Sequence, residues 1–373
     1  MEDAFLCAKH AVTLLQSKLV ELRAKAANPG LSQTAQKQIS RTVAAYLSQL
    51  QQVHTAVRDF LLQLAAEPEA TSAASELLKI LQAVAEEVPG LNALEEGRPE
   101  ELAVQVRQHR AAKREDDICA LRAAVAALPF GTPARPEALE AVVRNLSNQE
   151  QSLDFHIRLA AEVSERFGGG SSYSIENFAY GSTPYTSWLE VLAAAGPELK
   201  DAMAAPGREY VVWGSSCGWL VLYGALTYAW RSRGVELLSC LHECAQRTAA
   251  EQAAELSGTA GVHFTCGDLL QDDVSTAGLV VLADQCWDER LAAAAAAKLG
   301  RELPTGALCV SYSGTAFRGP AAGARAGGGG EGAEGGPAAV PEPLYGGVFE
   351  EVAAVRAPVS WADGLTFRIF RKL

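Results

Sequence analysis

Apolar residues in the first part of the chain recur at alternating spacings of three and four, the period of an amphipathic helix. The clearest stripe keeps a heptad spacing from Ile39 to Leu64. Proline and glycine interrupt the pattern at Pro89-Gly90 and again at 129–133. We therefore predict an all-α helical bundle domain over residues 1–167, built from antiparallel helices.

The pattern changes after a glycine and serine tract at 168–172, which predicts a hinge between two domains. From residue 208 onwards, short apolar runs alternate with longer amphipathic segments. Strands are predicted at 209–213, 235–242, 262–266, 278–284 and 307–312, and helices at 217–231, 245–256 and 288–300. This alternation is typical of an α/β domain, here residues 168–373, in which helices cover both faces of a parallel sheet.

The C-terminal part adds two more strands to this sheet. A tract rich in glycine and alanine at 319–337 lacks the apolar side chains of a core and is predicted to be a disordered loop. Two apolar runs follow it, Val348 to Val355 and Leu365 to Phe370, joined by a turn at 360–364. They predict a closing antiparallel hairpin, which brings the Rossmann-like sheet to seven strands.

Composition excludes several classes of protein. The net charge of −12 over 373 residues argues against a chain that coats nucleic acid, so no strong nucleic-acid binding is expected. The eight cysteines form no CxxC pair, which favours reduced thiols over disulfides or a metal site. No apolar run is long enough to span a bilayer, and Met1-Glu2-Asp3 lacks the basic start of a secretion signal. We expect an intracellular protein, cytoplasmic or nuclear, that does not enter a membrane.

One unit of the chain, which runs through a strand, a turn, a helix and a second strand, is typical of a ligand-binding site. The turn begins with Gly214-Ser215 and ends at Gly218, between the first predicted strand and a long apolar helix. Glycines at such a turn let the backbone approach a ligand, and an acid after the next strand accepts hydrogen bonds from ribose hydroxyls. Glu243 follows the second predicted strand. The unit therefore predicts a site for an adenosine-bearing ligand.

Two further strands also end on acids. Asp268 follows the third predicted strand, where its carboxylate would accept a hydrogen bond from an adenine amino group while Leu269 packs on the ring. Asp284 ends the fourth predicted strand, on the edge where ligands of open α/β sheets bind, and Trp287 follows it. Each acid has an alternative interpretation as the cap of the next helix. Three such acids behind a glycine turn favour a binding site.

The order of elements resembles the class I S-adenosylmethionine-dependent methyltransferases. More narrowly, residues 175–373 resemble the disruptor-of-telomeric-silencing family, the histone lysine methyltransferases that lack a SET domain. The matching stretches are the Tyr180-Gly181 loop, the unit at 210–231, Glu243, Gly267-Asp268-Leu269, Ala283 to Trp287 and Val359-Ser360-Trp361.

The resemblance implies S-adenosyl-L-methionine as cofactor and assigns roles to these residues. The turn with Gly214, Ser215 and Gly218 would hold the methionine part of the cofactor. Glu243 would hold the ribose, and Asp268 with Leu269 the adenine. The cofactor site would also include Tyr180 and Gly181. Asp284 and Trp287 would border the channel for the acceptor amine and are the catalytic candidates.

The predicted function is methylation of a protein lysine, with a protein substrate, a histone among the candidates, bound through the helical domain. Two alternatives stay open. Because the glycine turn offers only two glycines, the chain is alternatively a methyltransferase-like scaffold that has lost cofactor binding and acts through its helical domain. Because fold does not determine substrate, methylation of a small molecule is the other alternative.

Overall fold

The computed structural model describes residues 24, 51, 53–62, 71–87, 99–167, 173, 175–178, 180–313, 317, 347–360 and 362–373. The chain divides into two compact units. The first comprises Met1–Ser182 with Ala250–Gln252, and the second comprises Thr183–Ala249 with Ala253–Leu373. The predicted hinge at 168–172 and the predicted loop at 319–337 lie outside the described residues.

The first unit is mostly helical where it is described, apart from the connections at 127–135 and 151–152 and residues 173, 180–182 and 252. Residues 53–62 are helical, and four helices follow: α1 Thr71–Glu87, α2 Pro99–Ala126, α3 Pro136–Glu150 and α4 Leu153–Phe167. Helix α3 begins with Pro136, whose missing N–H costs nothing in the first helical turn. Its buried residues Leu139, Val142 and Leu146 follow the spacing of three and four. That residues 1–167 form one bundle domain stays a prediction.

The second unit contains a seven-stranded sheet with the strand order β3-β2-β1-β4-β5-β7-β6. The strands are β1 Glu209–Trp213, β2 Ser232–Glu236, β3 Val262–Cys266, β4 Ala277–Leu282, β5 Leu308–Ser311, β6 Phe349–Val359 and β7 Ala362–Lys372. Strands β1 to β5 are parallel, β7 is antiparallel to β5, and β6 forms a hairpin with β7. The predicted α/β class and the Rossmann-like seven-stranded sheet are confirmed.

Five helices accompany this sheet: α5 Tyr185–Ala204, α6 Trp219–Tyr228, α7 Ser239–Glu251, α8 Ala253–Leu256 and α9 Glu289–Glu302. Nine of the ten residues of α6 are buried, which explains why its sequence is apolar all round. Helix α9 begins at a cap, where Asp288 Oδ1 accepts a hydrogen bond from the Leu291 N–H at 2.8 Å. None of the described helices is long and apolar enough to cross a membrane.

The second strand lies earlier than predicted. It was expected at 235–242, but β2 ends at Glu236 and α7 begins at Ser239. The apolar run from Val235 to Leu241 joins the end of a buried strand to the first turn of a partly buried helix. Periodicity alone does not separate two such segments, which is why the prediction was wrong here.

The strand order determines at which edge of the sheet a ligand would bind. Strands β2 and β3 lie on one side of β1, and β4 and β5 lie on the other, so the order reverses between β1 and β4. In open α/β sheets, ligands bind outside the carboxyl ends of the strands at such a reversal. Trp213, the last residue of β1, is completely buried beneath this edge, and its Nε1–H donates to Asp272 Oδ2 at 2.8 Å. It is therefore part of the core.

Candidate functional site in the second unit

The turn after β1 places three alternate residues in the left-handed region. The φ angles are +74° at Gly214, +52° at Ser216 and +86° at Gly218. The N–H groups of Gly214 and Ser215 both donate to the Val235 carbonyl oxygen, at 2.9 and 3.0 Å, which holds the turn against β2. The Gly218 N–H donates back to the Ser215 carbonyl oxygen at 2.8 Å. The backbone thus curls tightly before α6 begins.

Gly218 allows a close approach between this turn and its neighbours. A Cβ at this position would lie 2.8 Å from Phe264 Cζ of β3 and 3.0 Å from Ala245 Cβ of α7. Any larger residue would push the turn away from the sheet. This is the packing role of a glycine in a nucleotide-binding turn.

A buried acid fixes the middle of the turn. Glu236, the last residue of β2, is only 7% exposed. Its Oε2 accepts a hydrogen bond from the Ser216 N–H at 2.8 Å, and its Oε1 accepts one from the Leu238 N–H at 3.0 Å. Each carboxylate oxygen has two lone pairs, so one oxygen can accept more than one hydrogen bond.

This acid replaces Glu243 at the end of the second strand. The sequence predicted that Glu243 would follow β2, but Glu243 is exposed on α7. The error follows from the shifted strand boundary. The sequence does carry a signal for Glu236: it directly follows Gly234-Val235, and Ser239, a residue type common at helix starts, comes three positions later.

Several buried polar atoms around the turn lack a protein partner. Among the described residues, six buried side-chain atoms have no hydrogen bond, and four of them belong to the turn or to the first turns of α6 and α7: Ser215 Oγ, Ser216 Oγ, Trp219 Nε1 and His242 Nδ1. Burial also lowers the pKa of His242, which favours a neutral ring able to donate or accept. Buried polar groups are nearly always hydrogen-bonded in folded proteins, to protein, water or a ligand, so these four atoms mark positions where a further polar partner is expected.

Asp268 and Leu269 lie directly after β3, as predicted. Asp268 Oδ1 accepts a hydrogen bond from the Leu270 N–H at 2.8 Å and caps the short 3-10 helix Leu269–Gln271. Leu269 is partly buried and packs against the core cluster beneath the sheet edge. Capping uses one carboxylate oxygen, so this contact does not prevent the second oxygen from binding a ligand.

Asp284 lies just after β4 and is 1% exposed. Its Oδ1 accepts hydrogen bonds from the N–H groups of Tyr312 and Ser313 at 2.7 and 3.2 Å, and its Oδ2 from the hydroxyls of Ser311 and Ser313 at 2.5 and 2.9 Å. Burial raises the pKa of Asp284, and these four donors oppose that rise. The carboxyl therefore joins the end of β4 to the end of β5.

Trp287 follows in the same segment. Its N–H donates to the Asp284 carbonyl oxygen at 3.3 Å, and its partly buried side chain packs against the hydrophobic core. Both residues lie at the predicted edge of the sheet. That they border an acceptor channel and take part in catalysis stays a prediction.

Tyr180 and Gly181, also predicted to bind the cofactor, belong to the first unit. Tyr180 is buried, and its hydroxyl donates to Glu150 Oε1 at 2.5 Å. Gly181 is half-buried. Within the described residues, no group of three or more histidine, cysteine or acidic side chains is arranged to hold a metal ion.

The chain is similar to several solved structures. One is an RNA methyltransferase from Salinibacter ruber in complex with S-adenosyl-L-homocysteine, with 26% identity over 31% of this chain and 74% of that chain, and a TM-score of 0.25. Another is a putative S-adenosyl-L-methionine-dependent methyltransferase from Methanococcus maripaludis, with 18% identity over 34% and 57% of the two chains and a TM-score of 0.26. A third is magnesium protoporphyrin IX methyltransferase from Synechocystis with bound SAM, with 11% identity over 58% and 90% and a TM-score of 0.33. Comparisons with protein families and with curated proteins find no match.

Proposed function

We propose that this protein is an S-adenosylmethionine-dependent methyltransferase that holds its cofactor at the carboxyl edge of β1, β2 and β3. The observation that carries the proposal is the hydrogen bond between Glu236 and the Ser216 N–H, which joins the acid after β2 to the turn after β1. A carboxylate after the second strand is where an adenosine ribose binds in folds of this kind. The unpartnered polar atoms of Ser215 and Ser216 lie in the same turn.

Different residues at this edge would bind different parts of the cofactor. Glu236 would accept hydrogen bonds from both ribose hydroxyls, and Asp268 would accept one from the adenine amino group beside Leu269. Ser215 and Ser216 would bind the methionine part with their free hydroxyls. The cofactor supplies an activated methyl group on a sulfonium, so the protein has mainly to align donor and acceptor and to exclude water.

The acceptor we propose is a lysine amine of a basic protein, with histones as the first candidates. The net charge of −12 supports this choice, because an acidic surface attracts a cationic partner and speeds its encounter. Incubation with radiolabelled cofactor and core histones tests it. Label on lysine would support the proposal, and label found only on small amines would favour a small-molecule methyltransferase.

Isothermal titration with S-adenosylhomocysteine tests the cofactor site. Loss of a hydrogen bond to a charged group costs about 1.5–3 kcal/mol, so Glu236→Ala and Glu236→Gln should each weaken the Kd about 10- to 150-fold. Glu243→Ala is the matched control, because it removes an exposed acid from α7. Unchanged affinity in both Glu236 variants, or a loss in Glu243→Ala alone, would refute the site.

The scaffold alternative makes the opposite prediction. It is favoured by the fact that both oxygens of Glu236 already accept backbone N–H groups, a role that is purely structural if no ligand binds. In that case the wild type would not bind S-adenosylhomocysteine, while Glu236→Ala would still lower the melting temperature.

A further inference from the structure

The segment proposed to bind the adenine is a single short turn of helix. It is the 3-10 helix Leu269–Gln271, with Asp268 before it and Asp272 after it. The Gln271 N–H donates to the Asp268 carbonyl oxygen at 2.9 Å, and the Asp272 N–H donates to the Leu269 carbonyl oxygen at 3.2 Å. A helix of this length is too short to be stable alone. Contacts with neighbouring elements must therefore fix where the Asp268 side chain lies.

Both ends of this segment are attached to the sheet of the second unit. At the front, the Gly267 N–H donates to the Glu236 carbonyl oxygen at 2.9 Å. At the rear, Asp272 accepts hydrogen bonds with both carboxylate oxygens, Oδ2 from the Trp213 Nε1–H at 2.8 Å and Oδ1 from the Arg233 guanidinium. Trp213 ends β1 and Arg233 lies in β2, so these two contacts, which we name the rear anchor, join the segment to two strands.

The rear anchor is largely shielded from water. The side chains of Arg233 and Asp272 are only 13% and 10% exposed, and Trp213 is completely buried. Arg233 also donates to the carbonyl oxygen of Asp273 at 2.7 Å and to Glu209 Oε2 at 3.3 Å. Hydrogen bonds between charged groups are stronger than neutral ones, and a shielded charge that loses its partner is strongly unfavourable. The rear anchor therefore resists displacement of the segment.

We propose that Asp272 is a positioning residue for recognition of the adenine amino group. Bound to Trp213 and Arg233, it fixes the short helix and thereby the place of the Asp268 carboxylate at the sheet edge. The inference rests on the proposed function, in which Asp268 accepts a hydrogen bond from that amino group. Asp272 acts through Asp268 and does not itself contact the cofactor. Its loss should therefore reduce the preference for adenine over a purine that lacks the amino group.

Isothermal titration with S-adenosylhomocysteine and S-inosylhomocysteine tests this role, because the second ligand carries an oxygen where adenine has its amino group. The wild type should bind S-adenosylhomocysteine about tenfold more tightly or better, the effect of one hydrogen bond to a charged group. Asp272→Asn keeps the size of the side chain but turns an amide NH2 towards Trp213 or Arg233, and should lower this preference to about threefold or less. Trp213→Phe, which removes the indole N–H and no charge, should lower it in the same direction.

The preference separates positioning from a general loss of stability. A purely structural role for Asp272 would weaken both ligands by the same factor and leave the preference unchanged, which would overturn the proposal. Equal affinity of the wild type for the two ligands would also overturn it, because Asp268 would then not recognise the amino group. In the Asp268→Ala background, Asp272→Asn should have no further effect on the preference. The matched control is Asp201→Asn, which removes an exposed acid from α5 and should keep the wild-type preference.

Amide hydrogen exchange tests the rear anchor without a ligand. The Leu270 N–H, which donates to Asp268 Oδ1 at 2.8 Å, should exchange about tenfold faster in Asp272→Asn and Trp213→Phe, whereas the Val281 N–H of β4 should exchange as in the wild type. Unchanged protection of Leu270 in both variants would overturn the positioning role. A wild type that binds neither ligand would refute the proposed function instead, and the exchange measurement would still decide whether Asp272 fixes the short helix.

Discussion

Substitution of Gly224 by alanine should destabilise the second unit, although alanine is the better helix former. Gly224 lies in α6, and a Cβ there would be 2.4 Å from Tyr210 Cδ1 and 2.7 Å from Tyr210 Cε1. Tyr210 cannot easily move away, because it is completely buried in β1 and its hydroxyl accepts a hydrogen bond from Trp188 Nε1 at 3.1 Å. The added methyl group therefore has no space.

The magnitude follows from three terms. Overpacking a well-packed core costs about 1–3 kcal/mol, and a disturbed Trp188–Tyr210 hydrogen bond costs about 1 kcal/mol more. The higher helix propensity of alanine offsets about 1 kcal/mol of this loss of stability. The free energy of unfolding should fall by about 1–3 kcal/mol, which lowers the melting temperature by roughly 2–4 °C per kcal/mol in a unit of this size.

Gly300 of α9 provides the matched control. A Cβ at Gly300 would meet Val348 Cγ1 at 3.4 Å, an ordinary van der Waals distance. Gly300→Ala should therefore stabilise the protein by about 0.5–1 kcal/mol, since the helical backbone accepts alanine without strain. Urea unfolding followed by circular dichroism measures both variants. A Gly224→Ala variant as stable as Gly300→Ala would refute the packing argument.

Two further predictions concern stability. Ser216 is a non-glycine residue with φ of +52°, a backbone conformation that glycine adopts without strain. Ser216→Gly should therefore raise the free energy of unfolding by about 0.5–1 kcal/mol, and Ser216→Val should lower it. The opposite ranking of the two variants in urea unfolding would contradict this backbone conformation. Because the folded-state pKa of Glu150 is raised from 4.5 to about 7, its contribution is fully present below pH 4.5 and is lost as the pH rises to about 7. The wild type should therefore lose up to about 3 kcal/mol relative to Glu150→Gln over that window, and parallel stability curves would show that the pKa of this carboxyl is not raised in the folded state.

The local sequence pattern was sufficient to predict most strands and helices of the second unit. Strands β1 and β3 lie where the sequence predicted them, because each is a short apolar or alternating run bounded by turn residues. The alternation of strands and helices also implied that the first five strands run parallel, since a helix between two strands connects them as parallel neighbours in one sheet. The hairpin of β6 and β7 was predicted as well, although both strands are longer than their apolar runs.

Tertiary structure decided the identity of the acid after β2. Glu236 and Glu243 both follow apolar residues, and the sequence pattern favoured the later one. The choice depends on where β2 stops pairing with β1 and β3, and β2 pairs with β3 up to Glu236 and Cys266. Pairing is a property of neighbouring strands, so one strand read alone does not determine its end.

The hydrogen-bond partners of Asp284 and Glu150 were also beyond the sequence. Asp284 binds Ser311 and Ser313, and Glu150 binds Tyr180, across separations of about 30 residues that no local pattern connects. Hydrogen bonds of this kind form only when packing brings two distant segments together and removes water from both. The sequence determined which residues carry the chemistry, whereas the packing of the chain determined which of them meet and how strongly each holds its proton.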